Sequence, residues 1–136
     1  MESNAPPGKG WHIALWFAQV LLAIGFLAGG WGKMAWPMQQ INAQVPWAPA
    51  VPEYLMRFIG VSEVLGAIGL ILPALTRIRP GLTIFSAAGL ALIMALAAGF
   101  HLFRTEYVFI LFNLAYFALA IFIVWGRMVK HPIQAR

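Results

Sequence analysis

Residues 57–73 read Arg57-Phe-Ile-Gly-Val-Ser-Glu-Val-Leu-Gly-Ala-Ile-Gly-Leu-Ile-Leu-Pro73. Between Arg57 and Pro73 the run is apolar except for Ser62 and Glu63. It reads as a membrane-spanning helix with a carboxylate inside it. A charge in hydrocarbon is costly unless it is paired, hydrated or protonated. Gly60, Gly66 and Gly69 lie on the same segment, the first two one turn either side of Glu63. Small residues let a neighbouring helix approach closely. Glu63 is therefore expected to face other helices, and the rest of the chain has to supply its partner.

The composition agrees with this reading. The chain has 136 residues, of which 62% are hydrophobic and only 10% charged. A soluble domain carries about 25% charged residues. The length suits one compact bundle without a second domain. Cysteine is absent, which excludes disulfides, thiol redox chemistry and thiolate metal sites. The three histidines lack haem or metal spacing, so no metal site is expected. The bases behind the net charge of +5 lie mainly in short loops and tails and form no basic run. They suit membrane orientation better than nucleic-acid binding.

Outward from the central block, the pattern predicts an all-α integral membrane bundle of four helices, at about 11–35, 53–72, 81–103 and 107–125. Each has roughly the 20 residues needed to cross ~30 Å of hydrocarbon. Residues 1–10 are polar and rich in Pro and Gly and are expected to form a flexible tail; residues 128–136 form a basic tail. Pro37 and Pro73 are expected to end the first and second helices. The Pro-rich segment 37–53 is too polar to span, but Met38–Val45 suits a short interfacial helix with Trp36 and Trp47 at headgroup level. Four spans put both termini on one side. That side collects Lys9, Arg77, Arg79, Arg127, Lys130 and Arg136, against Lys33, Arg57 and Arg104 on the other. Six bases against three favour cytoplasmic termini. His12 and His131 fall near the inner surface and are expected to be inert.

Depth then brings the unusual residues together. Lys33 is near the outer end of the first span and Arg57 is shallow in the second. Glu63 lies ~14 Å down and Asn113 ~9 Å down the fourth span, at ~1.5 Å per residue. His101 ends the third span on the same side. Glu53, Arg104 and Glu106 rim that mouth. Each has a structural reading as well. Lys33 can snorkel to headgroups, Arg57 and Glu53 can form a surface pair one turn apart, His101 can cap a helix end, and Asn113 can join helices. A charge inside hydrocarbon leaves Glu63 the fewest such alternatives.

The same residues resemble those of the DoxX-like family of small four-helix bacterial membrane proteins. The matching features are Gly29-x-x-x-Lys33, the block from Arg57 through Gly60, Glu63, Gly66 and Gly69 to Pro73, His101 with Arg104 and Glu106, Asn113, and Gly126-Arg127. The resemblance covers about residues 11–127. It implies residence in the bacterial cytoplasmic membrane and a connection with quinone-linked oxidoreduction, through a quinone or a redox partner subunit. On that view Glu63 and His101 exchange protons, while Lys33, Arg57 and Asn113 contact the ligand. Two other readings stand beside it: a non-enzymatic carrier of a small amphiphile, and a scaffold or assembly partner, in either case with self-association open.

Overall fold

The computed structural model describes residues 8–136. Residues 1–7 of the expected tail lie outside the described residues, and residues 9 and 10 already belong to the first helix. The helices are α1 (Lys9–Ala35), α2 (Met38–Gln44), α3 (Glu53–Thr76), α4 (Gly81–Phe103) and α5 (Tyr107–Trp125), with a 3-10 turn at Ala48–Ala50. α5 continues into a wider π turn at Gly126–Lys130. Four of these segments are long and apolar enough to cross a membrane.

Local chemistry sets the boundaries. α1 stops because Trp36 precedes Pro37 and must be extended, which it is at φ −74° and ψ 149°. Glu53 opens α3, where a carboxylate favours the positive end of the helix dipole. Pro73 does not end α3, which continues to Thr76. Its missing N–H deprives Gly69 of a donor, and an apolar helix tolerates this when neighbours satisfy the disturbed turn. The helix ends instead at Arg77, in the left-handed region at φ 60°.

α1 packs on α3, α3 on α4, α4 on α5, and α5 returns to α1. Leu22, Phe26, Leu70, Leu90, Met94 and Ile123 form the core of this ring. The outward faces are also apolar, with Phe85, Leu96 and Leu111 well exposed. In lipid those faces are solvated by acyl chains, so the bundle needs only close packing inside.

Glycines set the helix spacings. A Cβ on Gly60 would lie 2.6 Å from Met34 N and 2.8 Å from Gly30 O, so α1 and α3 touch backbone to backbone there. In the half nearer the termini, Gly66 and Gly69 bring α4 against α3, with Leu90 and Ser86 filling the room a side chain would take. Toward the opposite end α3 and α4 part around Phe58, Ile59, Ile93 and Leu96. Above that gap, Ile41, Ala48 and Met56 pack together and pin the segment 37–53 onto α3.

Candidate functional site

The gap between α3 and α4 is a cavity of about 390 Å³. Its walls are apolar: Leu55, Phe58 and Ile59 from α3, Ile93, Ala97 and Phe100 from α4, and Trp47, Val51 and Pro52 from above. Its polar lining is Lys33, Glu63, His101 and Asn113, one residue from each long helix.

Glu63 is 2% exposed, and Lys33 reaches it from α1. Lys33 Nζ donates to both carboxylate oxygens, at 2.9 and 2.8 Å. The Gly30–Gly60 contact explains the geometry. A Cβ on Gly30 would meet Glu63 Cβ at 2.9 Å, so only a helix without side chains there can bring the ammonium alongside the carboxylate. The charge expected to need a partner has one. Removing one member of a buried pair typically costs ~3–5 kcal/mol, because the other is left uncompensated.

Arg57 departs from the ligand-contact expectation. It does not line the cavity. Its Nη1 donates to Lys33 O at 3.0 Å and to Trp36 O at 2.6 Å, and its Nη2 pairs with Glu53 at 3.3 Å. The last carbonyls of a helix have no partner within it. Arg57 serves those of α1, and so fixes the turn that carries Lys33.

His101 is buried at the end of α4. Its Nδ1 is 3.2 Å from Glu106 Oε1, and its ring stacks on Phe109 with centroids 5.0 Å apart. Arg104 Nε donates to the same Glu106 oxygen at 2.7 Å. Glu106 thus sits in a turn with two cationic or polar donors. Desolvation raises its pKa, but the hydrogen bonds and charges of Arg104 and His101 outweigh this and hold the carboxyl below its ordinary value. Asn113 contributes a different feature: its buried Nδ2 has no hydrogen-bond partner among the described residues. Trp47 is a cavity wall, with its ring 5.5 Å from that of His101 and 6.0 Å from Lys33 Nζ.

The mouth faces the bilayer as well as the loop. Phe58 and Leu96 line the cavity and are 69% and 67% exposed on the outer surface of the bundle. A shallow groove continues from them between α3 and α4, past Ser62 and Gly89.

A second polar cluster at the opposite end was missed in the sequence. Arg127 is fully buried, and Gln19 accepts from its Nε at 2.7 Å. Gln19 Nε2 donates in turn to Leu70 O at 2.6 Å, in the turn of α3 that Pro73 disturbs. His12 and His131 are not inert bystanders: Arg127 Nη1 lies 3.2 Å from His12 Nδ1 and donates to His131 O at 3.1 Å. The available signal was Gln19 on an apolar helix opposite an internal proline.

These features define a small multi-pass helical membrane protein with a polar-floored cavity in one half of its bundle. The sequence profile of the DoxX-like family matches residues 17–123. That is most of the chain, and the protein belongs to this family. Comparison with curated proteins and with solved structures gave no match.

Proposed function

We propose that the cavity binds a small amphiphile whose head carries a carbonyl, of the quinone type, and that the protein serves as the membrane component of a quinone-linked oxidoreductase. The observation that carries this reading is the unpartnered Asn113 Nδ2 beside an apolar cavity. A buried N–H without an acceptor costs ~1–3 kcal/mol, and a carbonyl oxygen would remove that cost. Flat aromatic walls, Trp47 and Phe100, suit a ring, and the opening between α3 and α4 suits entry from the hydrocarbon.

When bound, such a group supplies a carrier for electrons and protons. Asn113 orients a carbonyl. Glu63 and His101 are placed to hold protons at the cavity surface. Lys33 stabilises negative charge on Glu63 or on a ligand oxygen, as a fixed cation does in a low-dielectric site. Arg57 holds the end of α1 and acts on the site through Lys33. Electrons would have to pass to a partner subunit. The basic residues at the terminal end favour cytoplasmic termini, which puts the cavity in the outer half of the cytoplasmic membrane.

The test is saturable quenching of tryptophan fluorescence by a decyl-substituted benzoquinone, with the protein in nanodiscs. Saturation above the partitioning background is expected for the wild type. Asn113→Leu should weaken binding about three- to tenfold, the value of one net hydrogen bond. Glu63→Gln and His101→Ala should each change binding or its pH dependence. Quenching that never saturates, or equal affinity in all the variants, would leave only the scaffold role.

A further inference from the structure

The end of the bundle where α1 begins and α5 finishes has a one-sided charge. Arg127 is 1% exposed, yet its Nη2 has no hydrogen-bond partner among the described residues, and neither does the buried Nδ1 of His131. The partners of Arg127 are neutral: the side chain of Gln19, the ring of His12 and the carbonyl of His131. The Trp16 ring, 5.8 Å away, adds only a cation–π contact. No described Asp or Glu side chain shares this end, and the C-terminal carboxylate lies on the surface side, where Arg136 N donates to Arg77 O at 3.0 Å. Glu53, Glu63 and Glu106 belong to the cavity half, and the remaining acidic residue, Glu2, lies outside the described residues. Lys9, Arg77, Arg79, Lys130 and Arg136 add further positive charge there.

A buried guanidinium without a counter-ion is costly. Its planar fork of donors matches the oxygens of a phosphate better than those of a single carbonyl. The level in the membrane is also marked. The Trp11 and Trp125 rings meet edge-on with centroids 5.3 Å apart, and Lys130 Nζ lies 5.5 and 5.4 Å from them. Tryptophan with lysine at a helix end is the pattern of the headgroup layer.

We propose that Arg127, His131 and Lys130 form a binding site for a phosphate group, supplied by the headgroup of an anionic phospholipid in the leaflet at that end. Arg127 Nη2 is the primary donor. His131 Nδ1 is the second, when it carries the ring proton. Lys130 attracts the headgroup from the surface. The chain leaves helical geometry after Lys130, and the tail beyond is tied back by Arg77 Nε to Gln134 O at 2.8 Å. The His131 ring packs on His12 with centroids 4.5 Å apart.

The experiment is native mass spectrometry of the full chain released from nanodiscs of mixed phosphatidylglycerol and phosphatidylcholine. The wild type should retain phosphatidylglycerol over phosphatidylcholine by at least ~10-fold, as charge-assisted hydrogen bonds allow. Arg127→Gln should abolish the preference. Arg127→Lys, which keeps the charge and loses the fork, should restore part of it. Equal retention in a folded Arg127→Gln protein would overturn the proposal. Where Arg127→Gln fails to fold, Lys130→Gln and His131→Ala carry the test, and unchanged retention in both would overturn it. A second arm adds inorganic phosphate in competition. Displacement of the lipid by free phosphate at low millimolar concentration would overturn the lipid assignment in favour of a soluble anion.

Discussion

Gly60→Ala tests whether helix spacing controls the cavity floor. The new Cβ would lie 2.6 Å from Met34 N, where ordinary contact begins at 3.4 Å. The obstruction is backbone, not the end of a flexible side chain, so α1 and α3 have to separate by about 0.8 Å, the difference of those two distances. The Lys33–Glu63 bonds of 2.8 and 2.9 Å would then stretch toward ~3.6 Å, beyond hydrogen-bonding range. Overpacking alone is expected to cost ~1–3 kcal/mol. The sharper consequence is loss of coupling. In the native background Lys33→Met should cost ~3–5 kcal/mol, since it strands a buried carboxylate. In the Gly60→Ala background that pair is already loosened, and Lys33→Met should cost at least ~1 kcal/mol less, within the range of coupling energies for contacting residues. Reversible unfolding in bicelles, with both single variants and the double, gives the coupling directly. Additive costs would refute the idea that the glycine contact holds the ion pair.

Three other outcomes follow from the geometry. The lowered pKa of Glu106 means that its interactions add stability above the ordinary carboxylate value of 4.5 and lose it as pH falls through the lower folded value. The stability gap between wild type and Glu106→Gln, measured against pH, should be constant near neutrality and close in acid; a gap independent of pH would contradict the assignment. Gln19→Leu strips Leu70 O of its side-chain donor and Arg127 Nε of its acceptor, and should destabilise by ~1–3 kcal/mol for each group left unpaired, read by the same unfolding assay. Thr105 is a β-branched residue held at φ 57°, a conformation costing ~1–2 kcal/mol that glycine avoids. Thr105→Gly should therefore raise the thermal midpoint, and a fall would show that the hydroxyl contact to Arg104 O outweighs the strain.

The spans were legible because apolar length is the dominant signal in this chain, and the pairing of Glu63 was legible because hydrocarbon gives a carboxylate few alternatives. Depth arithmetic also placed Lys33, His101 and Asn113 in one half correctly. It put Arg57 in that half too, but depth says nothing about where a long side chain turns, and the unpaired carbonyls at the end of α1 drew it away from the cavity. The helix boundary failed at Pro73 for a different reason: the local rule for stopping helices did not hold, and α3 runs on to Thr76. The Arg127 cluster was hidden for a related reason. Arg127 follows a span and reads as tail, and only the continuation of α5 through a π turn carries it inward. Gln19 becomes intelligible only beside the turn it supports.

The unequal spacing of α3 and α4 has a mechanical consequence. Ser86 against Gly69 acts as a fulcrum, and Ala97 at the cavity lies 11 residues further along α4. At ~1.5 Å per residue that is a lever arm of about 16 Å, so a tilt of about 5° moves the mouth by about 1.4 Å. Helix tilt responds to the thickness of the surrounding bilayer. Thinner or thicker lipid should therefore change the width of the opening without touching any residue of the cavity.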